Sequence, residues 1–69
     1  MNSGELYVTN IVTPSWISTI GGSLIDDFIG ERDVLMIVGR DKFYYAVVTR
    51  FGLRYVPVYS LEGNNVCQL

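Results

Sequence analysis

Residues 33–61 read DVLMIVGRDKFYYAVVTRFGLRYVPVYSL, and this stretch decides the fold. Asp33 to Val38 is an uninterrupted apolar run behind one acid, short enough for a strand and flanked by polar residues. Gly39-Arg40-Asp41-Lys42 then makes a turn. Phe43 to Arg50 is a second strand, whose period of two sets Tyr44, Ala46 and Val48 on one face and Tyr45, Val47 and Thr49 on the other. Phe51-Gly52-Leu53 is a tight connection in which Gly52 can take a positive φ. Arg54 to Tyr59 is a third strand, and Pro57, which has no N–H for a ladder, places it at an edge or ends it. Three strands on short turns form an antiparallel meander.

Outward from the meander, Glu5 to Val12 reads as a strand rich in Tyr, Val, Ile and Thr, stopped by Pro14. Residues 1–4 are small or polar and expected to be loose. Thr13 to Gly30 differs. Thr13-Pro14-Ser15 looks like a helix start, with Thr13 as N-cap and Pro14 at the first helical position. Trp16, Ile17 and Ile20 then supply an apolar side that Gly21-Gly22 stops. Ser23 with Asp26 suggests a second capped turn, Leu24, Ile25, Phe28 and Ile29 its stripe, and Gly30 its C-cap. Short helices are expected here, the rival being a long irregular loop pinned to the core by Trp16 and Phe28. Beyond the meander, Glu62-Gly63-Asn64-Asn65 is a turn and Val66 to Leu69 a short closing strand. The expected class is mainly β, or α+β if 13–30 is helical: one domain over 1–69, with its edges hidden in a small barrel.

Sixty-nine residues make one domain, and a chain this short buries only about 60% of its unfolded surface. It holds no histidine and a single cysteine, Cys67, so neither a disulfide framework nor an ordinary His/Cys zinc site is expected. One Trp, five Tyr and three Phe exceed what so small a body can hide, so an exposed aromatic patch is expected. The net charge of −2 favours neither an acidic nor a basic partner. Asp26, Asp27, Glu31 and Asp33 lie in the first half; Arg40, Lys42, Arg50 and Arg54 lie in the second. This suggests two faces of opposite sign or ordinary solvated loops. No apolar run approaches a membrane span and the start lacks a signal-peptide pattern. A lone cysteine without an export signal makes a cytoplasmic setting the expectation, with no membrane partner.

Residues 33–61 resemble the later strands of a Src-homology-3 domain. Asp33, the Leu35 and Ile37 alternation, the Tyr44-Tyr45 pair and Val56-Pro57 fall in that family's order, and Glu5-Leu6-Tyr7 can stand for its opening Ala-Leu-Tyr. The resemblance implies an Src-homology-3-like barrel in which residues 13–30 enlarge the first long loop. It also implies a groove for proline-rich ligands, to which Tyr7, Tyr44 and Pro57 would contribute. Thr9 and Ser60 stand where the family has tyrosines, so two walls of that groove are absent.

Catalysis finds little material. Nucleophilic chemistry needs a base beside the nucleophile, and Cys67 has no histidine to serve it. Asp26, Asp27, Glu31 and Asp33 match no calcium-loop spacing, and Gly21-Gly22 lacks the rest of a phosphate loop. The expectation is therefore a non-enzymatic module with no cofactor, binding another protein as adaptor, accessory subunit or inhibitor. The contact surface is expected to comprise Tyr7, Trp16, Tyr44, Tyr55, Pro57 and Tyr59, with Arg54 at its rim. Self-association through an exposed edge is also expected. The alternative is a single-stranded nucleic-acid binder using Arg40, Lys42, Arg50, Phe51 and Arg54, against which the acidic balance counts.

Overall fold

A computed structural model describes residues 1–69. Its strands are β1 (Leu6–Thr9), β2 (Thr13–Ser18), β3 (Leu24–Ile29), β4 (Val34–Arg40), β5 (Tyr44–Thr49), β6 (Gly52–Pro57) and β7 (Val66–Gln68), with 3₁₀ turns at Val58–Leu61 and Gly63–Asn65. All pair antiparallel in one sheet of order β3-β2-β6-β5-β4-β1-β7. The chain is mainly β.

The meander forms as its alternation predicts. Leu35 and Ile37 of β4, Tyr45, Val47 and Thr49 of β5, and Val56 of β6 point inward and are buried, while Tyr44, Ala46 and Val48 point outward. The β4–β5 register shifts between Ile37 and Gly39, so Val38 is an extra, half-exposed residue that bends β4. Thr49 closes the β5–β6 turn: its Oγ1 donates to the Gly52 carbonyl at 3.1 Å and accepts from the Phe51 N–H at 3.1 Å. β6 lies inside the sheet between β2 and β5, and Pro57 is its last residue, so the proline ends the strand.

Residues 13–30 are neither helical nor an irregular loop; they form the β2–β3 hairpin, paired from Thr13↔Ile29 to Ser18↔Leu24. The turn explains the difference. Gly22 N–H donates to the Thr19 carbonyl at 3.0 Å, Thr19 N–H donates to the Ser23 carbonyl at 2.8 Å, and Gly22 has φ +84°. That is a three-residue hairpin loop with glycine in the left-handed position, so Gly21-Gly22 reverses a strand where a helix stop was expected. Pro14 carries its missing N–H on the side of β2 that faces β6, and the register there is limited to Trp16↔Tyr55.

The sheet curls so that its two sides meet, which is compatible with a small barrel. Tyr7, Ile29, Leu35, Ile37, Tyr45, Val47, Val56 and Leu61 form one core cluster that gathers residues of β1, β3, β4, β5 and β6, although β1 and β3 lie far apart in the sheet order. Thr9, fully buried, makes the join. Its Oγ1 donates to the Gly30 carbonyl at 2.7 Å and accepts from the Asp33 N–H at 3.0 Å; its carbonyl accepts from the Arg32 N–H at 2.7 Å. The turn after β3 is thereby held with Arg32 at φ +60°, a conformation uncommon for arginine. Gly4 is tied to β4 by a 2.7 Å bond to the Ile37 carbonyl.

Candidate functional site

The outward faces of β2, β3, β5 and β6 and the turn before β5 meet in an open groove of about 370 Å³, lined by Trp16, Ser18, Leu24, Phe43, Tyr44 and Tyr55. The registers build it. Trp16 pairs with Tyr55, Tyr55 pairs with Ala46, and Tyr44 lies diagonally from Tyr55 across β5 and β6. The Tyr44 and Tyr55 rings stand edge to face, centroids 5.3 Å apart at 80°, a favourable arrangement that fixes both. Trp16, Tyr44 and Tyr55 are half-buried, while Phe43 at 70% and Leu24 at 59% exposed form open walls. Ser18 is the one lining residue that is not hydrophobic, and no carboxylate or cation lines the groove. Such a surface can exclude water from an apolar group.

Of the expected contact residues, Trp16, Tyr44 and Tyr55 come together here. Tyr7 belongs to the core, 8% exposed, with its hydroxyl donating to Glu5 Oε1 at 3.0 Å. Burial first, and the Glu5 carboxylate second, push its phenol pKa up. Pro57 is buried, and Tyr59, 71% exposed on the 3₁₀ turn, does not line the groove. Arg54 is on the opposite face from its neighbour Tyr55, as strand alternation requires, and reaches Asp27 Oδ2 at 3.8 Å. Leu24 and Phe43 were not expected at the site. Leu24 becomes legible only once the Ser18↔Leu24 register is known.

The basic residues do not share a surface. Arg40 and Lys42 flank the β4–β5 turn, where Arg40 stacks on Tyr45 at 5.1 Å and Lys42 lies over Phe43 at 5.5 Å. Arg50 and Phe51 sit at the far end of β5, stacked at 4.6 Å, with Arg50 also 3.5 Å from Asp33. No group of three or more His, Cys, Asp or Glu side chains is placed to hold a metal ion. Cys67 is exposed, and no helix is long and apolar enough to cross a membrane. No protein-family model, curated protein or solved structure matches the chain.

Proposed function

We propose that this chain is a non-enzymatic interaction module whose Trp16–Tyr44–Tyr55 groove receives apolar side chains from a segment of another protein, in the manner of an adaptor, accessory subunit or small inhibitor. The observation that carries the reading is the edge-to-face Tyr44–Tyr55 pair opposite Trp16, a preformed, half-buried aromatic surface with no charged lining. Large rings held rigid before binding cost little entropy on contact, which is why such residues dominate interface energies. The finer fold reading, an Src-homology-3-like barrel, gains support from the 3₁₀ turn directly after Val56-Pro57 and from β7 returning to pair with β1. Of the residues the family resemblance implies for its groove, Tyr44 lines this one, while Tyr7 and Pro57 are buried away. A proline-rich ligand is therefore no part of the reading. The exposed thiol of Cys67 supports a reducing, cytoplasmic setting.

The test is a pull-down from lysate with and without nuclease treatment, at low and high salt, with Tyr44→Ala and Tyr55→Ala as control baits checked for folding by circular dichroism. A protein retained at high salt and lost with both variants supports the groove, and blue-shifted Trp16 fluorescence with the purified partner places the contact. Material that vanishes with salt or nuclease overturns the reading in favour of nucleic acid, whose counterion release makes binding steeply salt-dependent.

A further inference from the structure

We infer that the free edge of β3 is a strand-addition site for an extended segment of another protein that carries a cationic side chain between two apolar ones. β3 is the terminal strand of the sheet, bonded on one side only, and is six residues long. The opposite edge, β7, has three. The ladder fixes which groups are free. Thr19 N–H donates to the Ser23 carbonyl, and hydrogen-bonded pairs alternate along an antiparallel ladder, so Ile17–Ile25, Ser15–Asp27 and Thr13–Ile29 are the bonded pairs. The main-chain N–H and C=O groups of Leu24, Asp26 and Phe28 consequently face the open edge. The pairing of Trp16 with Tyr55 on the far side of β2 requires the same phase.

The same three residues project their side chains on one face, that of the groove. Leu24 is 59% and Phe28 66% exposed, and Asp26 between them is exposed. Asp27 is matched by Arg54 and Asp33 by Arg50; Asp26 has no cation within the chain. An added strand therefore meets apolar, acidic and apolar positions in turn, and an apolar–cation–apolar alternation complements them. A second copy of this chain does not. In the fully overlapping antiparallel register it sets Asp26 directly opposite Asp26 of the other copy, and like charges facing each other across strands are unfavourable. The edge site and the groove share the Leu24 side chain, but only the edge needs the main-chain groups of β3 and only the groove needs the rings of Trp16, Tyr44 and Tyr55.

The test uses the full ¹⁵N-labelled chain and a short capped peptide in which threonines alternate with valine, lysine and valine. On titration the amide signals of Leu24, Asp26 and Phe28 shift and their hydrogen exchange slows. Replacing the peptide's lysine with glutamate weakens binding about fivefold, the scale of a cross-strand charge reversal. Asp26→Lys reverses that preference, and Asp26→Asn removes it. Backbone N-methylation of the lysine abolishes binding, and Tyr55→Ala leaves it unchanged. Indifference to N-methylation, or shifts confined to Trp16, Tyr44 and Tyr55, assigns the peptide to the groove and overturns the edge site. Slowed exchange of the same amides in a peptide-free dimer overturns it in favour of self-pairing. Absence of saturable binding by either peptide also overturns it and leaves Asp26 as a guard against edge pairing.

Discussion

Thr9 shows how one hydroxyl can tie β1 to the turn that links β3 and β4. Its side chain is wholly buried, and its Oγ1 both donates to the Gly30 carbonyl and accepts from the Asp33 N–H. Thr9→Val keeps the volume and orphans both backbone groups, so unfolding free energy should fall by about 1–3 kcal/mol, measured by urea denaturation. Thr9→Ser, which keeps the oxygen, should lose less. Glu5 is a second tie. Its carboxylate accepts from the Asn2 N–H, from the Tyr7 hydroxyl and, at 2.9 Å, from Gln68 on β7. The Asn2 bond first, then the Tyr7 bond, hold its pKa below the usual carboxylate range. A lowered carboxyl pKa contributes stability that is complete above the ordinary value of about 4.3 and disappears as pH falls through the lowered one. The raised Tyr7 phenol acts at the other limit: its contribution is complete below about pH 10 and is lost as pH rises through the raised value. Urea midpoints compared at neutral and acid pH should therefore show a shallower acid loss in Glu5→Gln than in the parent. An unchanged acid slope would remove Glu5 from the account.

The hairpin of β2 and β3 is the element that carries both binding proposals, and its turn is the place to test it. Gly22 has φ +84° with open space where a side chain would start, so Gly22→Ala meets no clash and only backbone strain. The expected cost is about 1 kcal/mol, with fraying of the loop seen as faster amide exchange at Thr19 and Ser23. Gly21→Ala, next door but without a positive φ, should be close to neutral. Equal effects at the two positions would refute the turn assignment. This is also the element the sequence concealed. β5 announced itself because Tyr45 and Val47 face inward and the alternation carries that signal. In β2 the inward residues are Thr13 and Ser15 and the outward ones Pro14 and Trp16, an inversion of the usual pattern. In β3, Asp26 and Asp27 are poor strand formers, and Leu24, Ile25, Phe28 and Ile29 happen to fall at helical spacing. Tertiary position, chiefly the pairing of Trp16 with Tyr55, overrides that local preference. Half of the candidate site was legible for a related reason. Tyr44 and Tyr55 lie on the meander, where the face of each residue can be counted off, whereas Leu24 required the hidden hairpin and Tyr7 drew notice as an aromatic although its strand turns it inward.

At the scale of the whole molecule the limiting quantity is buried apolar volume. Only 14 of 69 residues are buried, and the core cluster holds eight side chains. A chain this size has roughly 3–10 kcal/mol of stability to lose. Large apolar residues left outside add little to that total, and three of them, Leu24, Phe28 and Phe43, lie at the groove or the β3 edge. Core and binding surface are thus separable by a single chemical change made in two places. Leu35, wholly buried against the core, should lose about 2–5 kcal/mol on Leu35→Ala, enough to leave a large unfolded fraction at ordinary temperature. Leu24→Ala deletes the same atoms from a residue already 59% exposed, and its stability change should be within about 0.5 kcal/mol. Partner capture should be weakened by Leu24→Ala at unchanged fold, whereas any loss with Leu35→Ala should track the unfolded fraction and recover on cooling or with a stabilising osmolyte. If Leu24→Ala proved as destabilising as Leu35→Ala, the groove wall would be part of the core, and the outward face would be structural surface with no ligand of its own.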